Sequence, residues 1–437
     1  MLAPQLPDSF RDMEPLFLAV ICGCKAGLFH EALHEVYIPR IQRGNASFAG
    51  KVLGVRGALL SILVHFFDHG RWGSFLETGV PGQTLSTEDR LFILMQAALY
   101  LTATRGFGAP EARNCHEHAE LLCRSLNRPQ LLYSALTGQW RFCLITDKLS
   151  TTMQIAERVY ALAQEQKNSA LVIGGHRALA GTFYFMGDFE SARQYAMRGV
   201  QVWRSRNVEC QVQEVASPVV MCLCYQALSE WHFGEIASSL ATMAETISLA
   251  KDLNDTQALA VALYFAEFLA YFERNPAEVE RLASDLIELA TRQNFAFFLP
   301  VGAVVLGWAL SASGDTTEGL SSIEEGIRDY RATGATLTMP YLLAIKAEAL
   351  YLAHRNPEAL EAIKEAEALA ERNEERCHCA EVYRLRGVFL AALGADETQI
   401  ETSFFAAIST AKQQKSISLA ARAEASYAQY RFRNRNR

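Results

Sequence analysis

Leu179-Ala180-Gly181-Thr182-Phe183-Tyr184-Phe185-Met186-Gly187-Asp188-Phe189-Glu190-Ser191-Ala192 carries the pattern that decides how this chain folds. An apolar, helix-length stretch with a small residue inside it ends at a Gly-Asp turn. A second helix opens directly behind that turn. Gly187 suits a helix C-cap that needs positive φ, a conformation that is costly for residues with a Cβ. Gly181 would let the two helices of a pair approach closely, and Ala192 would fit under the facing helix. Working outward, the arrangement returns. Leu306-Gly307-Trp308-Ala309-Leu310 precedes Gly314-Asp315 and Gly319, and Arg386-Gly387-Val388-Phe389-Leu390 leads to Gly394. Near the start, Cys24-Lys25-Ala26-Gly27-Leu28-Phe29-His30-Glu31-Ala32-Leu33 repeats the Gly and the Ala. Two helix-length segments thus recur about every 34 to 45 residues, the period range of helical-repeat proteins.

Weaker copies fill the gaps: Trp140 to Gln166, Val219 to Lys251, Ala258 to Gln293 and Tyr341 to Arg372. Two of them turn at Arg-Asn-Pro, at Arg274 to Pro276 and Arg355 to Pro357, where Pro opens the second helix at its first position. Ser86-Thr87-Glu88-Asp89 reads as a capping box ahead of Leu91. No stretch alternates at period two, and roughly eighteen helices fit at usual helix and loop lengths. One helix pair cannot bury its own apolar face, so stacked neighbours share a continuous core. The large-small alternation and the G-D-[FY]-x-x-A turn resemble tetratricopeptide (TPR) repeats. The expected fold is all-α, a right-handed α-α superhelix of roughly nine hairpins. The loop-like stretch Arg71 to Leu85 suggests a division into N-terminal helical repeats, 1–72, and a TPR-like solenoid, 73–437. The last helix is expected over Ile417 to Tyr430, followed by a solvated basic tail from Arg431 to Arg437.

Composition limits the function. Of 437 residues half are apolar and a fifth charged, with only 12 Pro, which excludes disordered and collagen-like classes. A net charge of -7 makes a broad phosphate-binding surface a poor fit, so no nucleic-acid partner is expected. Apolar runs stop short of the roughly 18 residues of a membrane span, so no membrane partner is expected either. Met1 to Gln5 shows no basic n-region. The ten Cys fall mostly in apolar helical stretches, as reduced thiols of a cytoplasmic protein would.

Motifs for chemistry are sparse. Gly44 to Val52 misses the phosphate-loop pattern by one residue of spacing and by Val52 in place of the hydroxyl. Cys22/Cys24, Cys222/Cys224 and Cys377/Cys379 stand two apart, and on a helix such pairs point away from each other. Cys115, His118 and Cys123 fall short of four metal ligands. His176, Arg177 and Glu190 lack a nucleophile and an oxyanion hole, and His65/His69 has Phe66 where a metalloprotease needs Glu. No catalytic residue, cofactor or metal is expected.

Four strings resemble the TPR region of large bacterial STAND-type ATPase regulators, often fused to class III adenylate or guanylate cyclases. They are Glu371 to Arg376 with Ala380 to Gly387, Met95 to Leu99 with Ala103 to Glu111, Tyr330 to Ala335 leading to Pro340, and His176 to Thr182. The resemblance implies a non-catalytic sensor or binding module, with a protein or peptide held in a concave groove. A STAND-type ATPase or nucleotide cyclase would be the partner it regulates. A structural oligomerisation scaffold and a small-ligand receptor are the alternatives. Trp140, Tyr184, Trp231 and Trp308 fall at or near groove-facing positions of the inner helices, with Arg177 and His232 close to the same faces. Rigid aromatics with Arg dominate interface energetics. Packing between adjacent helices is the other fate of such rings.

Overall fold

The computed structural model describes residues 5–44, 48–51, 53–67, 71–72, 85–206 and 216–435. Every regular element among them is helical, and the chain divides into two compact units, Met1–Gln139 and Trp140–Arg437. The expected division at 72/73 adjoins residues 73–84, which lie outside the described set, as do 45–47 and 52 of the loop compared with a phosphate loop, His69, and the last two residues.

The first unit holds α1 (Phe10–Lys25), α2 (Phe29–Glu31), a π-helix (Ala32–Gln42), α3 (Phe48–Lys51), α4 (Arg56–Leu63), a 3-10 turn (Val64–Phe66), α5 (Thr87–Arg105) and α6 (Pro110–Ser125). Pro39, which has no N–H to donate to an α-helical ladder, sits inside the π-helix. Buried Gln42 Nε2 donates to the hydroxyls of Tyr37 and Tyr100 at 2.9 and 3.0 Å. Ser86 and Asp89 form the expected capping box at the start of α5. The division between units falls within α7 (Pro129–Thr146).

The second unit continues with α8 (Leu149–Gln166), α9 (Ser169–Phe185), α10 (Phe189–Arg206), α11 (Pro218–His232), α12 (Ile236–Asp252), α13 (Thr256–Phe272), α14 (Pro276–Gln293), α15 (Phe298–Ala312), α16 (Thr316–Ala332), α17 (Met339–Leu352), α18 (Asn356–Asn373), α19 (Cys379–Ala392), α20 (Glu397–Gln413) and α21 (Ile417–Arg435). From α9 onward each odd-numbered helix packs on the next even one and on the next odd one, as in a TPR-like solenoid. The pairs share one turn. Gly187, Gly234, Arg274, Gly314, His354 and Gly394 all take positive φ. The residue after each donates its N–H to the carbonyl five residues back, as Asp188 does to Phe183 and Asn275 to Ala270. Pro276 opens α14 as expected, but in α18 Asn356 comes first and Pro357 second, because His354 rather than Arg355 takes the left-handed position.

The two helix sets differ in chemistry. α14 is amphipathic and buries Val279, Leu282, Ala283, Leu286, Leu289 and Ala290 along one stripe. α13 is buried on almost every side, and Glu267 is its only charged residue. The reason is winding. The inner-helix end at Ile145 accepts backbone N–H groups from Thr336 and Leu337, ahead of α17. Phe185 accepts from Arg376 and Cys377, ahead of α19. The carbonyl of Trp231 accepts Ser418 Oγ at 2.5 Å, at the start of α21. Inner helices α7, α9 and α11 therefore each meet the segment that opens the inner helix five pairs later, and the inner faces cover one another.

Small residues set the closest approaches. A Cβ on Gly307 would stand 2.5 Å from the carbonyl oxygen of Gly319 in its own partner helix, and one on Gly387 would meet Phe404 of α20 at 3.0 Å. Gly181 makes room instead for Tyr225 of α11, the inner helix of the next pair. At the C-terminus α21 runs on to Arg435, past the expected end at Tyr430, and Arg431 pairs with Glu401 at 2.6 Å.

Candidate recognition site

All six residues singled out in the sequence lie in the second unit, and none exceeds 4% exposure. They form two groups. In the first, Trp140 Nε1 donates to Thr182 Oγ1 at 3.0 Å, and the guanidinium of Arg177 lies 4.4 Å from the Trp140 ring centre. Tyr184 packs at 5.9 Å from His232, whose ring stacks on Phe189 at 3.5 Å and whose Nδ1 meets Ser416 Oγ at 2.9 Å. Burial, assisted by His378 and Arg422, holds His232 well below its ordinary pKa, so the ring is neutral. These four side chains are interior packing and hydrogen-bonding elements in this conformation. Arg177 and His176 are not joined by Glu190, which pairs with Lys415 at 2.6 Å.

The second group contains Trp231 and Trp308 and reaches the surface. Trp231 Nε1 donates to Glu273 at 2.6 Å, and Trp308 Nε1 donates to Glu348 at 3.1 Å. Arg274 bridges Glu348 and Glu381 at 2.6 and 2.7 Å. Glu381 also takes Arg384 at 2.8 Å and faces Arg422 at 3.5 Å. Arg422 lies over Trp231, and Arg274 lies over Tyr271 and Trp308. Burial opposes the charge on Glu381, but Arg384, Arg422 and Arg274 outweigh it and hold this carboxyl well below the ordinary range. Six inner helices or their turns supply the group: α11, α13, α15, α17, α19 and α21. The side chain of Arg274 remains 30% exposed and that of Arg422 19%, so the cluster has an accessible rim above a buried tryptophan floor.

Arg274, Glu348, Glu381, Arg384 and Arg422 were not among the expected site residues. Arg274 carried a signal. It occupies the left-handed position that four of the six turns fill with Gly, at φ 56°. A non-glycine residue there costs about 1–2 kcal/mol, which its two carboxylate partners offset. The others lie 74 to 148 residues further along the chain, and no local pattern joins them.

Among the described residues, Cys115, His118 and Cys123 do not come together around a common point; Cys115 Sγ lies 3.7 Å from the Trp72 carbonyl. No helix among the described residues is long and apolar enough to cross a membrane.

With this geometry in place, comparison with known proteins is informative about architecture. No family model matches the chain. A Rap protein complexed with competence and sporulation factor superposes with a TM-score of 0.57 at 11% identity, covering 92% of this chain and 99% of that one. The likeness is one of fold. A STAND protein with a tetratricopeptide repeat sensor from Pyrococcus horikoshii gives a TM-score of 0.37 at 10% identity, over 93% of this chain and 72% of that one. An uncharacterized protein of Rhizobium meliloti is 22% identical over 380 residues, 86% of this chain. The chain spans only 36% of that relative's length.

Proposed function

We propose that this chain is a non-catalytic TPR-like recognition module that binds a peptide or protein segment at the charged rim formed by Arg274, Glu348, Glu381 and Arg422. The observation that carries the reading is the convergence of six inner helices on one aromatic and mixed-charge cluster with an open edge. Arg and Trp are the residue types that concentrate binding energy in interfaces. A segment offering both a carboxylate and a cation would exchange with the internal pairs one for one, with no charge left buried alone. Trp231 and Trp308 are the floor of the site. His232 packs on Trp231 at 5.1 Å and Tyr184 packs on His232, while Trp140 and Arg177 pack on each other in the interior. The Rap protein with the same fold was solved with a factor bound, which supports a binding role. The sequence resemblance to STAND-type regulators supports a finer reading, in which the module is the cytoplasmic sensor arm of an ATPase or nucleotide cyclase.

The test uses the turn itself. Arg274→Gly removes the guanidinium while installing the residue that the other turns favour. Combined with Glu348→Gln, it leaves no extra carboxylate unpaired. Random peptides displayed on phage are selected on the wild-type chain, and affinities are read from tryptophan fluorescence. The selected peptides should lose at least ~100-fold in affinity for the double variant, about the 3 kcal/mol of a strong interface residue, with helicity unchanged. Equal binding to both proteins, or no enrichment on the wild type, refutes the proposal.

A further inference from the structure

We propose that Glu375, Cys377 and His378 form a binding site for a divalent transition-metal ion, zinc by its ligand chemistry. The three residues fall within four positions of the segment that joins α18 to α19. A carboxylate oxygen, a thiol sulfur and an imidazole nitrogen lie within 4.8 Å of one another, and all three residues are buried. Tetrahedral zinc, bound at about 2.0–2.3 Å, needs donors roughly 3.3–3.8 Å apart. Side-chain adjustments of about 1 Å therefore close the set around an ion.

Spacing explains why this group differs from the Cys-x-Cys pairs. Residues two apart diverge on a helix. Glu375 to His378 precede the helix, and His378 is its N-cap residue at φ −109° and ψ 0°. The chain here can turn its side chains to one point. Cys379, the first residue of α19, stays outside the donor set.

The surroundings hold the donors in place. The N–H groups of Arg376 and Cys377 are fixed to the Phe185 carbonyl at 2.8 and 3.2 Å. Both oxygens of Glu375 accept the N–H of Thr338, at 3.1 and 3.0 Å, leaving lone pairs free. The His378 ring is stacked on Tyr341 at 4.1 Å. Such outer contacts are what orients metal ligands. Charge also balances: one carboxylate, one thiolate and one neutral imidazole around a dication sum to zero, so the ion would remove the cost of a buried acid rather than add to it. The thiol proton goes to solvent on binding. Three protein donors leave a fourth position for water or another ligand. The mixed sulfur, nitrogen and oxygen set favours zinc over calcium or magnesium.

The experiment uses the full chain, treated with chelator and dialysed, then titrated with cobalt(II) as a spectroscopic probe and with zinc(II) in competition. The expected result is one ion per chain, with a thiolate-to-cobalt charge-transfer band that zinc abolishes. Cys377→Ser should lose the band, Cys379→Ser should keep it, and His378→Gln should weaken zinc binding by at least ~10-fold, the least that loss of even an outer-shell partner costs. Absence of stoichiometric binding, or a band that survives Cys377→Ser, overturns the site. If Cys377→Ser fails to fold, X-ray absorption on the zinc-loaded wild type decides. One sulfur with nitrogen and oxygen neighbours supports the assignment, and a shell with no sulfur or several sulfurs overturns it.

Discussion

Replacing Gly319 by Ala tests whether backbone contact between α15 and α16 holds the repeat stack together. A Cβ at Gly319 would stand 2.4 Å from the carbonyl oxygen of Gly307 and 2.1 Å from Ser311 Oγ. Ordinary contact begins at 3.4 Å, so the helices must part by about 1 Å. Ser311 Oγ cannot simply turn away, because it is buried and donates to the Gly307 carbonyl at 2.8 Å. A Cβ on Gly326 would stand 2.6 Å from the Pro300 carbonyl oxygen, so the crossing is tight along its length. Overpacking costs about 1–3 kcal/mol, and a backbone neighbour places this site at the upper end. The gain in helix propensity returns about 1 kcal/mol. The net loss is about 2 kcal/mol, or roughly 30-fold in local opening at 1.4 kcal/mol per decade. Gly57, exposed in α4 with nothing within 4 Å of its would-be Cβ, is the control and should gain up to about 1 kcal/mol as Ala. Amide hydrogen exchange resolved by segment is the assay, because repeat stacks respond locally. Unchanged or slower exchange in α15 and α16 of Gly319→Ala would refute the reasoning.

Two further outcomes concern buried acids. Glu381→Gln should destabilise the second unit by about 3–5 kcal/mol at pH 7, since three arginines lose their shared counter-charge. The wild-type advantage is fully present above the ordinary carboxylate pKa, begins to shrink as pH falls below it and is lost completely only below the depressed folded pKa; the gap between wild-type and variant urea melts should therefore narrow steadily from pH 5 to pH 3 without closing, and a gap that stays constant would contradict this. Glu267 behaves oppositely: fully buried, with neither carboxylate oxygen hydrogen-bonded, it is pushed well above its ordinary pKa by burial. Its contribution is present below about pH 4.5 and is lost as pH rises, so Glu267→Gln should gain on the wild type by up to about 1.4 kcal/mol per pH unit above that point, and a pH-independent difference would disprove it.

The helices were legible in the sequence because their causes are local. Gly187, Gly314 and Gly394 mark turns through the sterics of positive φ, the Ser86 capping box marks the start of α5, and the spacing of apolar residues marks which segments pair. Aromatic positions on the inner helices were legible for the same reason. Whether those rings face an open groove was not, because winding depends on small rotations that accumulate over successive pairs. One clue was present: α13 is apolar all round, as a helix covered on every side must be. The charge cluster had no comparable signal. Arg274 shows only as a missing turn glycine, and its partners come together because the inner helices bring positions 348, 381, 384 and 422 to the same rim. By itself, then, the sequence determined an all-helical stack of paired repeats, since backbone sterics and apolar periodicity act within a few residues. Only the tertiary structure decided that the inner faces close on one another and which charges meet at their edge, since both depend on contacts between helix pairs far apart in the chain.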